Sequence, residues 1–219
     1  MIYVLKDATF FGGDAKRSLE HIIRTCHDGE LNGEIIDEVS KVNSLLSLLT
    51  TELSNSNKEV RETVQSLFSV LADLKNKTLT ELLLPVKDRL LAPIFTKPLR
   101  ALPYNFQIGH VDAVTYCLYL PGFLNNTEEL FRLIQEALAF TDAEDSSSGV
   151  SKFSQSKSAS SVISLRVVCI KMLTAVMRSA EFLGSREATT RARIIAVFFK
   201  SVYCKSPEVI EIALIGTIV

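Results

Sequence analysis

Residues 162–177 read VISLRVVCIKMLTAVM, and residues 191–203 read RARIIAVFFKSVY. In the first stretch only Ser164, Arg166, Lys171 and Thr174 interrupt an apolar surface that otherwise runs around the whole segment. That length and pattern predict a helix covered by neighbours on more than one face. The second stretch carries Ile194, Ile195, Val197, Phe198, Phe199 and Val202 and predicts another such helix. Ser206-Pro207-Glu208 then restarts the chain, with Ser as N-cap and Pro at the first helical position. The last helix, 209–219, reaches Val219 still apolar, so the chain reads as a fragment whose helical layers continue.

The same three-and-four spacing recurs upstream. Asp14 opens a helix striped by Leu19, Ile22, Ile23 and Cys26, and Gly29 and Gly33 break the chain after it. Ile35, Val39, Val42, Leu46 and Leu49 line the next helix. Ser56 and Glu59 have capping-box spacing before the stripe Val60, Val64, Leu67, Phe68 and Leu71. Thr78 and Glu81 repeat that spacing ahead of Leu82, Leu83, Val86, Leu90 and Leu91, and Asn126 and Glu129 repeat it ahead of Leu130, Leu133, Ile134, Ala137 and Leu138. A helix is expected to resume after Gly109 and to stop at Pro121-Gly122.

Two intervals depart from this pattern. Prolines 93, 98 and 103 recur every five residues, so 92–106 is expected to be an ordered, partly extended connection that packs Phe95, Leu99 and Phe106. Nine of the seventeen residues in 145–161 are Ser, a composition expected to form a flexible loop. Ser146, Ser147 and Ser148 follow three acids and are candidates for phosphorylation. The organisation is therefore helical repeats over 1–144, a Ser-rich loop over 145–161 and further repeats over 162–219. The fold class is all-α, a HEAT-like helical solenoid with helix pairs of about 40 residues, or alternatively an irregular helical bundle.

Composition narrows the function. The 219 residues are 47% hydrophobic and 22% charged, with a formal net charge of -1. Near-neutrality supplies no steering toward phosphate backbones or anionic membranes. No charge-free apolar run approaches 18 residues, and no membrane span is expected. Cys26, Cys117, Cys169 and Cys204 form no CxxC pair and read as free thiols.

Several clusters imitate chemistry. Gly12-Gly13 lacks the GK[ST] of a phosphate loop. His21, Cys26 and His27 lack a fourth ligand and the spacing of a zinc site, and His110 reads as structural. Asp112, Tyr116 and Cys117 share a helix face with no oxyanion donor or activating base. Lys87, Arg89, Lys97 and Arg100 form a basic group with no stacking aromatic series, which argues against direct nucleic-acid binding. The sequence thus assigns no catalytic, cofactor-binding or metal residue and no small-molecule substrate.

Longer segments carry a resemblance. LLLPVKDRLLAPIFTKPLRALPYNFQIGHVDAVTYCLYLP (82–121) is the most specific, with FFGGDAKRSLEHIIRTCH (10–27), LRVVCIKMLTAVM (165–177) and RARIIAVFFKSVYCKSPEVIEIA (191–213) in agreement. They resemble the transcription-associated proteins of fungi and their animal counterparts, the transformation/transcription domain-associated proteins. These are the pseudokinase members of the phosphatidylinositol-3-kinase-related family. The resemblance spans nearly the whole chain outside the Ser-rich stretch. It implies a small part of the HEAT region of a very large helical protein whose kinase-like domain is inactive. It further implies a non-catalytic scaffold in nuclear histone acetyltransferase coactivator complexes such as SAGA, with complex subunits and transcription activators as partners. Nothing in the chain looks like the kinase-like or TPR portions, so no ATP-site role carries across.

Overall fold

A computed structural model describes residues 46–124, 127–142, 155–179 and 188–218. All regular structure among them is helical. The chain divides into two compact units, Met1–Thr96 and Lys97–Val219.

In the first unit residues 46–52 are helical, followed by α1 (Lys58–Leu74), α2 (Leu79–Leu83), a 3-10 turn (Leu84–Val86) and α3 (Lys87–Phe95). The expected stripe of α1 is buried from Val60 through Leu71. Its cap lies one residue later than expected: the Asn57 side chain, not that of Ser56, accepts from the Glu59 N–H. The capping box at α2 forms as read. The Thr78 hydroxyl accepts from the Glu81 N–H, and the Glu81 carboxylate accepts from the Thr78 N–H at 2.8 Å. Arg61 is an unanticipated core residue, 2% exposed, whose guanidinium donates to the Asn55 carbonyl.

The proline-rich interval is more helical than the sequence implies. Pro85 enters the 3-10 turn, and Pro93 lies inside α3, which ends two residues later. Pro98 and Pro103, both in extended conformation, are the N-caps of a second 3-10 turn (Leu99–Ala101) and of α4 (Tyr104–Leu118). Helix therefore resumes at Tyr104 rather than after Gly109. A proline needs no N–H at a helix start, so these residues punctuate helices instead of excluding them. Ile94 and Leu99 are buried and Phe95 is half-buried, but Phe106 is 47% exposed, so Phe106 departs from the expected packing.

The second unit continues with α5 (Glu128–Asp142), α6 (Gln155–Arg178), α7 (Ala188–Val202) and α8 (Pro207–Thr217). Helices α4, α6 and α8 lie side by side with α6 in the middle, while α5 and α7 pack against each other and back onto that row. This is the two-layer arrangement of a HEAT-like stack. From Cys169 to Val176 every residue except Lys171 is buried. By length and composition Ser160–Arg178 passes for a membrane span, contrary to the expectation of none. Within the structure 44% of that window is buried, concentrated from Cys169 to Val176, where the neighbouring helices pack against it. Buried Thr115, Thr141 and Thr174 satisfy their hydroxyls on carbonyls of their own helices.

Polar ties set the register of the outer layer. Arg193 of α7 donates to the Gln135 side chain of α5, and Lys200 pairs with Asp142 at 2.8 Å. Both pairs are 58 residues apart, so α5 and α7 run parallel, as alternate helices of an up-down stack must. A HEAT period of about 40 residues is lengthened by about the span of the Ser-rich stretch. That stretch does not separate two packing bodies, because α5 and α6 on either side of it are in contact. Nor is it loop throughout: α6 begins at Gln155, seven residues before Val162. Once the apolar part nucleates the helix, adding a residue costs little, and Gln, Lys and Ala here are good helix formers.

One buried bond ties the proline-rich turn to α5. The Glu136 carboxylate, 8% exposed, accepts from the Leu99 N–H at 2.6 Å. Glu136→Ala leaves that N–H unpaired, and the expected loss is about 1.5–3 kcal/mol in a urea titration, with Glu136→Gln losing less. The α7–α8 hairpin rests on a close approach at Gly216, where an added Cβ meets the buried Phe198 ring at 3.0 Å. Gly216→Val is expected to cost about 1–3 kcal/mol by thermal or denaturant melting.

Candidate interaction surface

The second unit has a pocket of about 440 Å³ where the turn after α4 meets the C-terminal end of α6. Its floor is apolar: Leu120, Leu124 and Ala175 are all buried. Tyr119, 54% exposed, together with Arg178 and Ser179 forms the rim. Gly122, at φ 67, allows the turn between them, a backbone position that disfavours side chains. The nearby helix ends are closed: the Tyr116 and Cys117 carbonyls accept from the Tyr119 and Leu120 N–H groups, and the Ala175 carbonyl accepts from the Ser179 N–H. Exposed apolar side chains also mark α7 and α8, with Ile195 and Phe199 on one and Leu214 and Ile215 on the other, and Tyr203 and Ile218 just past their ends.

Among the described residues, those singled out in the sequence do not assemble into a reaction centre. Gly12, Gly13, His21, Cys26, His27 and Ser146–Ser148 lie outside the described residues. Asp112, Tyr116 and Cys117 all sit on α4, as their spacing implies. Burial, assisted by Cys117, pushes the Tyr116 hydroxyl up to about 12, and Cys117 itself is buried. Burial likewise pushes the Cys169 thiol up to about 12, so neither the phenol nor this thiol ionises near neutral pH. Among the described residues no group of three or more His, Cys, Asp or Glu is placed to hold a metal ion. Arg89, Lys97 and Arg100 are exposed, and Lys87 is half-buried. At the α5 terminus, the Lys200 hydrogen bond and charge hold the Asp142 carboxyl below its ordinary range.

A family description for the Tra1 HEAT repeat ring region matches residues 1–216. The chain belongs to this HEAT-repeat ring family. Among curated relatives, it is 46% identical over 165 residues to the SAGA complex/NuA4 acetyltransferase complex subunit Tra1 of Schizosaccharomyces pombe, covering 74% of this chain. It is 42% identical over 169 residues to the TRA1 subunit of the same name in Saccharomyces cerevisiae, covering 76% of this chain. The human transformation/transcription domain-associated protein is 29% identical over 208 residues, covering 90% of this chain. The chain spans only 4% to 5% of the length of these relatives. A HEAT-repeat ring is a stack of helices, in keeping with the two-layer packing and apolar core described above.

His110 is the one described histidine of those noted above. It is 8% exposed on α4, its Nδ1 has no hydrogen-bond partner, and burial lowers its pKa from 6.5. The unfolded chain therefore takes up this proton first on acidification. The stability held by neutral His110 is complete above about pH 6.5 and fades as pH falls through the lowered folded value. Denaturant midpoints measured between pH 7 and pH 5 are expected to fall less in His110→Leu than in the parent chain.

Proposed function

We propose that this chain is a non-catalytic scaffold segment of a nuclear histone acetyltransferase coactivator assembly. The observation that carries the reading is the match to the Tra1 ring region across nearly the whole chain, joined to 46% identity with a subunit named for SAGA and NuA4. Subunits of such complexes and transcription activators are its partners, and its place is the nucleus. The physics of the fold supports that role. A two-layer stack fixed by buried side chains holds its curvature, so surfaces on successive helices keep their spacing. Partners then bind by apolar anchors within a polar rim, and no group on the segment needs to react. A HEAT module serving a different assembly is the competing outcome.

The test is to tag the native polypeptide that contains this segment in its own host and purify it from nuclear extract. Co-purification of acetyltransferase subunits, with histone acetylation on addition of acetyl-CoA, is the expected result. Recovery in the cytoplasmic fraction with no acetyltransferase activity assigns the stack to another role.

A further inference from the structure

We infer that Ser206 is a phosphoacceptor for a proline-directed serine/threonine kinase, and that the phosphate ester it forms closes the start of α8 and tightens the turn between α7 and α8. The inference goes beyond the scaffold reading, since it assigns a modification site whose test does not depend on which assembly the segment serves.

The sequence isolates the position. Of the six prolines, at 85, 93, 98, 103, 121 and 207, only Pro207 follows a hydroxyl residue, so Ser206-Pro207 is the single Ser/Thr-Pro step in the chain. The proline ring fixes φ and offers no N–H, and kinases of this class seat that ring next to the acceptor. The structure presents the same step in the turn between α7 and α8. Ser206 is in extended conformation, at φ -89 and ψ 119, the backbone shape in which kinases take up their substrates. Tyr203, Lys205 and Pro207 around it are exposed, and Ser206 itself is half-buried. Its side chain stands at the N-cap of α8 yet makes no capping hydrogen bond, while its own N–H donates to the Cys204 sulfur at 3.5 Å.

The transfer is a phosphoryl exchange. The Ser206 oxygen attacks the γ-phosphorus of Mg-ATP, the bond to the bridging oxygen breaks, ADP leaves, and the hydroxyl proton passes to the base of the kinase. The product meets donors and charge of the right sign. Without a side-chain cap, the Glu208 and Val209 N–H groups of the first turn lack that acceptor, and Pro207 has no N–H to satisfy. A phosphoserine brings three acceptor oxygens and a charge of about -1.5 to -2 to the positive end of the helix dipole. Lys205 is its neighbour in sequence. The Arg166 guanidinium of α6 donates to the same Cys204 sulfur at 3.8 Å, so one sulfur atom stands between that cation and the Ser206 amide. The one acid within 203–209 is Glu208, which is exposed, so its repulsion is screened by solvent and salt.

The test incubates the whole 219-residue chain, and in parallel a synthetic peptide of residues 200–211, with a purified proline-directed kinase of the mitogen-activated class and Mg-ATP. Mass spectrometry is expected to show one phosphate on each, mapped by fragmentation to Ser206. Ser206→Ala is expected to take up none. Pro207→Ala, which keeps the acceptor, is expected to slow uptake about ten-fold or more. In the phosphorylated chain, amide exchange across 208–217 is expected to slow about three-fold or more, with α1 in the other unit unchanged. Uptake by the peptide but not by the folded chain, uptake by neither, phosphate on another residue in place of Ser206, undiminished uptake in Pro207→Ala, or faster exchange of α8 after phosphorylation would each overturn the assignment.

Discussion

Burial of α6 is the constraint on which the second unit depends. An isolated helix with apolar residues on nearly all sides has no stable place in water. Its surface is removed only if other helices surround it, and here α4 and α8 flank it while α5 and α7 close over it. That single requirement accounts for the two layers. It also accounts for the parallel run of α5 and α7, since each must return to the same central helix. The ties Gln135–Arg193 and Asp142–Lys200 then choose one register among those that bury α6 equally well. Exposed pairs of this kind contribute little energy, so their value lies in selection more than in strength.

Much of the fold was legible because helical burial writes a period into the sequence. The stripe Val60 to Leu71, the Thr78–Glu81 box and the restart at Ser206-Pro207 each correspond to an observed boundary or face. The failures have local physical causes. At 92–106 the recurring prolines suggest a broken helix, yet Pro98 and Pro103 stand as N-caps, where a missing N–H costs nothing, and Pro93 lies inside α3 two residues before its end. Gly109 reads as a break after which a helix resumes, yet it lies buried inside α4, where packing by Val111, Ala113 and Val114 outweighs its helix penalty of about 1 kcal/mol. At 155–161 composition argued for loop, and the helix propagated into it from its apolar side.

The candidate site was much less legible. Its two walls are more than fifty residues apart in the chain, and neither carries a motif. Leu120 and Leu124 carry no signal beyond being apolar, and Arg178 is a single cation in the last turn of its helix. Only the packing of α4 on α6 brings a donor-rich rim over an apolar floor. The residues that did stand out in sequence, such as Tyr116 and Cys117, are explained by burial on α4.

Native-state hydrogen exchange, read residue by residue across the second unit, tests the central role of α6 most directly. If α6 is the element around which the stack closes, amides 169–176 open only when the unit unfolds as a whole, exchanging at least about ten-fold more slowly than those of α8. Exchange in 169–176 as fast as in α8, through local opening that leaves the remaining helices protected, would contradict the account.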